Sequence, residues 1–212
     1  MKENEMKDLL DKSSSLQKNK EMEEIIKYIS MDMLRLGGGQ TSYSDDYLFI
    51  SDRLEDVFQK NRNVKLDMFL MIYCLEGEIK LELNNISHTL HSNDLIVSLP
   101  NTLIAQVLTS PNYKAKVICF SNRFVRRMTQ TKKYTWKSIC YILNQPVKHF
   151  EVEESKYFIQ YLSLMEHKIQ VNMDELQKEI LLYIASAFFG EMIAETTRKS
   201  VERESHMDVG LV

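Results

Sequence analysis

From residue 47 to residue 120 the chain is cut into short apolar runs, with a turn signal roughly every 8–12 residues. That rhythm restricts the region to an antiparallel sandwich or barrel. The runs span 47–50, 68–75, 78–83, 86–90, 95–99, 103–108 and 115–120. Between them stand Glu76-Gly77, Asn84-Asn85, Ser92-Asn93-Asp94, Pro100-Asn101 and Ser110-Pro111-Asn112. Gly and Asn tolerate positive φ, and Pro fixes φ while lacking a donor, so each cluster favours a reversal. Alternation is clearest in Glu78-Ile79-Lys80-Leu81-Glu82-Leu83, which turns Ile79, Leu81 and Leu83 inward and the charges to water. Asn84-Asn85 suits a two-residue hairpin loop.

A helical period holds on both sides of this region. Met22, Ile25, Ile26, Ile29, Met33 and Leu36 share one face and predict a helix over 20–36, ended by Gly37-Gly38-Gly39. Ser13-Ser14-Ser15 interrupts a charged arm before it. Downstream, Ser121 is placed to cap a segment carrying Phe124, Val125 and Met128. Trp136, Ile139, Cys140 and Leu143 mark a helix that stops ahead of Pro146. Tyr157, Phe158, Tyr161, Leu162, Met165 and Ile169 stripe another over 155–170. Asn172, with Glu175 three residues on, forms a capping-box pattern for a last helix over 172–198. Its stripe is Leu176, Ile180, Tyr183, Ile184, Ala187 and Phe188. The class expected is α+β. Residues 1–46 read as a helical arm with a Gly linker, 47–120 as the barrel, 121–199 as a helical segment with a hairpin, and 200–212 as a frayed tail.

Composition excludes several classes. The 212 residues carry a net charge of −3, which gives no overall attraction to nucleic acid. Three cysteines, Cys74, Cys119 and Cys140, cannot all pair within one chain, and no CxxC is present. They read as reduced thiols of a cytoplasmic protein. The first residues hold no apolar core of a signal peptide, and the greasy stretch 180–189 is too short to span a bilayer, which takes about 20 residues.

The segment FLMIYCLEGEIKLELNNISHTLHSNDLIVSLPNTLIAQV, residues 69–107, carries a Gly-centred turn, a hairpin, an Asn-Asp turn, an apolar strand and a Pro turn. Together with the order helix, strands, short helices and helical hairpin, it resembles the cupin-like amino-terminal half of AraC-type bacterial transcription regulators. The resemblance covers roughly residues 47–199. It implies that the barrel holds a small-molecule effector and that the paired helices form a homodimer. It also implies that DNA is read by helix-turn-helix units, which the family pattern places after Val212 and which this chain is expected to lack. The protein is then not an enzyme, needs no cofactor and meets no membrane.

The candidate sites follow. Metal-binding cupins pair two histidines two residues apart, aiming both into one face. His88 and His91 are three apart, so on one strand they point to opposite faces, and no metal site is expected. His88 shares parity with Ile86 and Leu90. It is either a hydrogen-bonded core histidine or the polar group of a ligand pocket lined by Ile79, Leu81, Leu83, Ile86 and Leu90. No G-x-S-x-G, phosphate-binding glycine loop or carboxylate pair is present. A small cupin-type enzyme is the first alternative, and the histidine parity argues against it. A cyclic-nucleotide-binding module is the second. It would need a small-residue phosphate cassette with an Arg, and residues 99–113 contain neither Gly nor Arg. Cys74 and Cys119 sit in apolar strands and read as inert thiols. The dimerisation residues expected are Leu176, Ile180, Tyr183, Ile184, Ala187 and Phe188.

Charge is unevenly spread. No acidic residue occurs between Asp94 and Glu151, while nine basic residues do, leaving 18 Lys plus Arg against 30 Asp plus Glu elsewhere. Arg123, Arg126, Arg127, Lys132 and Lys133 form the centre of this stretch. It serves either as a face for phosphate or another anion, or as a surface that docks on acidic helices of the same or a partner chain.

Overall fold

Two sheets stacked face to face share one aliphatic core. The computed structural model describes residues 26–36, 41–44, 48–58, 63–130, 145–170 and 174–208. The five-stranded sheet runs β1 (Ile26–Ile29), β4 (Asn63–Leu66), β9 (Leu103–Thr109), β6 (Ile79–Leu83), β7 (Ile86–Leu90). The six-stranded sheet runs β11 (Val147–His149), β8 (Asp94–Ser98), β5 (Met68–Glu76), β10 (Lys114–Ser121), β3 (Leu48–Ser51), β2 (Thr41–Ser44). All pairings are antiparallel except β1 with β4. Val64, Leu66, Ile79, Leu81 and Ile104 from the first sheet meet Leu70, Ile72, Ile96, Val117 and Cys119 from the second. The molecule is α+β, as its sequence implies.

The helices form a third layer. They are α1 (Met31–Leu36), α2 (Asn122–Gln130), α3 (Val152–Gln170) and α4 (Glu175–Asp208). The outer face of the six-stranded sheet offers Met71, Tyr73, Val97, Ile118 and Phe120 to Phe124 of α2, Phe158 and Leu162 of α3, and Leu181 and Phe188 of α4. β5 is therefore covered on both sides, which is why its sequence, Met-Phe-Leu-Met-Ile-Tyr-Cys-Leu, reads as an unbroken apolar run rather than an alternation. Burial of a side chain such as Ile72 there contributes about 1.5–3 kcal/mol.

The turns follow the residue types. Asn84 and Asn85 both have positive φ, 49° and 66°, as a two-residue hairpin requires. Gly77 has φ +80°, and a Cβ there would lie 2.5 Å from Ser110 Oγ and 2.9 Å from Tyr113 Cα. That close approach lets Ser110 Oγ accept the Glu78 N–H at 2.9 Å and tie two turns together. Ser121 caps α2 as expected, its Oγ accepting the Phe124 N–H at 3.1 Å.

Three local expectations are corrected. The helix over 20–36 is confined to 31–36 among the described residues, because 26–29 is a strand. Ile29 fits either period, and pairing of β1 with the exposed edge of β4 decides between them. The cap of α4 is Asp174, whose Oδ1 accepts the Gln177 N–H at 2.8 Å, while Asn172 lies outside the described residues. The backbone of α4 stays helical to Asp208, well into the stretch expected to fray. The expected helix at 136–143 lies outside the described residues.

Candidate functional site

A cavity of about 580 Å³ opens where the helical pair meets the six-stranded sheet, lined by Phe150, Glu153, Glu154, Tyr157, Phe158, Tyr161, Phe188, Glu191 and Met192. Helical spacing puts Glu154, Tyr157, Phe158 and Tyr161 on one face of α3, and Phe188, Glu191 and Met192 on one face of α4. Phe150 comes from the link between β11 and α3. Its N–H donates to Asn93 O at 3.0 Å, which pins the ring beside the helix start. Glu154 Oε2 accepts the Glu151 N–H at 2.8 Å and so caps α3.

The rings form a continuous wall. Phe150 and Phe158 have centroids 5.1 Å apart, Phe158 and Phe188 4.8 Å, and Tyr161 and Phe188 6.1 Å. These are tilted and edge-on arrangements favoured by aromatic quadrupoles. Behind the wall lies Tyr73 of β5, fully buried, 4.6 Å from Phe158 and 6.0 Å edge-on to Phe150. Its hydroxyl meets Ser155 Oγ at 2.5 Å and Asn93 Oδ1 at 3.2 Å, and Ser155 Oγ donates to Asn93 Oδ1 at 3.0 Å. Burial pushes the Tyr73 phenol up, against the lowering effect of the Ser155 bond, with Cys74 and Asp94 adding to the rise. Next to this hub, Asp94 Oδ2 accepts the His91 N–H at 2.7 Å and its Oδ1 meets His149 Nδ1 at 2.8 Å. One strand, one turn and one helix are thus joined by side chains beneath the cavity.

The six residues expected to line a pocket inside the strands do not line this cavity. Ile79, Leu81, Leu83 and Leu90 are buried in the shared core. His88 faces Leu81 across the hairpin and Ile86 faces Leu83, so the parity argument holds. β7 is an edge strand, however, and leaves Ile86 63% exposed and His88 half-buried. His91 lies beyond the strand, its Nδ1 3.7 Å from Glu78. No group of three or more His, Cys, Asp or Glu able to hold a metal occurs among the described residues. Cys74 and Cys119 are buried free thiols. Burial pushes Cys74 up to about 11, aided by Asp94, and pushes Cys119 up further. Cys140 lies outside the described residues.

The stripe expected to dimerise is split between two faces. Phe188 is buried within the chain, in the cavity wall, so it is not part of an intermolecular surface. Leu176 and Tyr183 are 63% and 68% exposed, and Ile180, Ile184 and Ala187 are half-buried. The inward face is instead Leu181, Ala185, Phe188, Phe189 and Met192. Of the basic stretch, Lys114 pairs with Glu76 at 2.8 Å and Arg127 with Glu179 at 3.8 Å. Lys116 sits between Asp52 at 2.5 Å and Glu166 at 2.7 Å. Burial lowers the Lys116 pKa, but its bonds to the two carboxylates outweigh this and the net shift is up. Arg123 and Arg126 are exposed on α2, and Lys132 and Lys133 lie outside the described residues. These pairs connect the basic stretch to acidic residues elsewhere in the same chain.

The Tyr73, Asn93 and Ser155 cluster is invisible in the sequence, since its members are 20 and 62 residues apart. The cavity residues had a weak signal: four aromatic rings within or just before one helix, with glutamates at its start.

No protein-family model matches the chain, and no curated protein sequence matches it. Solved structures do resemble it. An apo variant of ToxT from Vibrio cholerae superposes with TM-score 0.44 at 14% identity, over 71% of this chain and 56% of its own. ToxT with a bound unsaturated fatty acid gives TM-score 0.42 at 15%, over 72% and 54%. The AraC-like transcriptional activator CuxR gives TM-score 0.42 at 10%, over 70% and 49%. The chain therefore spans about half the length of these proteins. No helix among the described residues is long and apolar enough to cross a membrane.

Proposed function

We propose that this chain is the effector-sensing and dimerisation part of an AraC-type transcription regulator, bacterial and cytoplasmic, with a regulatory rather than catalytic role. The observation that carries the reading is the aromatic cavity between α3 and α4, seated on the Tyr73 hub. Its volume falls within the roughly 300–1,000 Å³ of small-molecule sites, and its walls are apolar with a few polar groups at fixed places. A ligand in it touches both long helices and, through Phe150 and Phe158, the ring that bonds to the sheet and the Asn93 turn. Binding then favours one placement of the helical pair over another, which is how a population shift is transmitted.

The outward stripe of α4 supports a second copy of this chain as partner. Leu176, Ile180, Tyr183 and Ala187 follow at i, i+4, i+7 and i+11, with Leu176 and Tyr183 open to solvent. Large apolar patches are uncommon on monomers, and two-fold dimers are the commonest assembly. DNA reading in this proposal belongs to helix-turn-helix units, which present a recognition helix to the major groove.

Sedimentation tests the assembly. The 212-residue chain at tens of micromolar is expected to be a dimer, and Leu176→Glu with Tyr183→Glu to give a folded monomer. A monomeric wild type overturns the dimer. Tight, sequence-selective DNA binding by residues 1–212 alone overturns the division of labour.

A further inference from the structure

We propose that the cavity between α3 and α4 takes a small organic cation with an apolar body, an alkyl or aryl amine. The inference rests on the sensing role proposed above and names the chemistry of the effector. Two features of the lining carry it. The first is the sign of its charge: Glu153, Glu154 and Glu191 line the cavity, and among the described residues no Lys, Arg or His does. The second is the wall, formed by five aromatic rings, Phe150, Tyr157, Phe158, Tyr161 and Phe188.

The two features are arranged as a cation site needs them. Phe158 and Phe188 are buried at the floor, while Tyr157 is 64% exposed and Glu153 and Glu191 are exposed at the mouth. An ammonium entering from solvent meets carboxylates first and ring faces next, and ring faces attract cations within about 6 Å of the centroid. Its apolar body then lies on Phe150, Phe158 and Phe188. The three carboxylates are not equivalent. Glu153 Oε1 is paired with Lys156 Nζ at 2.6 Å, and Glu154 Oε2 is held by the Glu151 N–H. Glu191 has no ion-pair partner among the described residues and supplies the principal counter-charge. A carboxylate ligand would bring a like charge among three glutamates, and a neutral one would leave their field unused.

Calorimetric titration of the 212-residue chain with phenylbutylamine, phenylbutanol and phenylbutanoate compares one apolar body carrying a positive charge, no charge and a negative charge. The amine is expected to bind at least about tenfold more tightly than the alcohol, and the carboxylate more weakly still. Glu191→Gln is expected to reduce amine affinity by about three- to tenfold without changing that of the alcohol. Tyr157→Ala, at the mouth, is expected to weaken the amine while the melting temperature stays at the wild-type value. Equal or tighter binding of the carboxylate or the alcohol, with Glu191→Gln silent, overturns the cation assignment and leaves the cavity standing as an effector site. Absence of binding by all three probes at millimolar concentration overturns the cavity as the sensing site, and the cation assignment with it.

Discussion

The two faces of the six-stranded sheet are built from different chemistry. Toward the other sheet it presents Leu70, Ile72, Cys74, Ile96 and Val117, nearly all aliphatic and closely interdigitated. Toward the helices it presents Phe69, Met71, Tyr73, Ile118 and Phe120, and there the partners include Asn93 and Ser155 as well as Phe158 and Phe188. Branched aliphatic side chains fill space at close to crystal density, and those of the first face are buried in the core shared by the two sheets. Flat rings meeting at tilted angles leave a gap at the helix ends, and buried hydroxyl and amide groups fix where the helices sit. One face maintains the fold, and the other has the geometry to respond to something.

The largest effects should come from deleting volume on either face. Ile72→Ala is expected to cost about 2–5 kcal/mol in chemical denaturation and to leave probe affinity unchanged in the folded fraction. Phe188→Ala is expected to cost about 3–5 kcal/mol and also to alter binding, because Phe188 belongs to both the core and the cavity wall. Equal effects of the two variants on binding would erase the distinction between the faces. A smaller effect is expected from Tyr73→Phe, about 1 kcal/mol, since Ser155 and Asn93 remain bonded to each other. Its sharper signature is weakened coupling, seen as a smaller ligand-induced protection of β5 amides from hydrogen exchange. Leu176→Glu with Tyr183→Glu is expected to change monomer stability by less than about 0.5 kcal/mol, because both side chains are exposed, while shifting the sedimentation profile.

The smallest effect concerns the aliphatic face at alkaline pH. The Cys74 thiol is pushed from its ordinary 9.0 up to about 11 by burial and by Asp94. The folded chain therefore holds a proton that the unfolded chain loses, so stability falls as pH rises from 9.0 through about 11. Tyr113, half-buried and bonded to Glu55, is pushed up to about 12, chiefly by desolvation, and extends the same decline. Thermal unfolding followed across this range is expected to show a shallower alkaline limb for Cys74→Ala. An unchanged slope would remove Cys74 from the account.

Much of the strand region is legible from local pattern. The seven apolar runs correspond within a residue or two to β3, β5, β6, β7, β8, β9 and β10, because each carries its own turn residues at both ends. Asn84-Asn85 and Ser121 perform the local tasks that their chemistry suits. The short strands β1, β2, β4 and β11 are a different matter. They contain three or four residues each, too few to display a period, and they exist because a neighbouring strand offers unpaired backbone groups. The candidate site was legible only in part: the aromatic stripe of α3 is visible, but its companions Phe150, Phe188 and Tyr73 come from three other elements.

What the sequence by itself determined is therefore everything that depends on neighbours along the chain: turn positions, strand parity, the cap of α2 and the apolar character of α3 and α4. His88 illustrates the limit, since its parity is correct and its exposure follows from β7 lying at an edge. On α4 the expected stripe from Leu176 to Phe188 is wide enough to face two ways. Packing against Phe158 and Tyr161 turned Phe188 inward and left Tyr183 outside. Tertiary structure alone decided that rotation, and with it the cavity, because a helix sets which side chains share a face but only the surface it packs against selects the face that is buried.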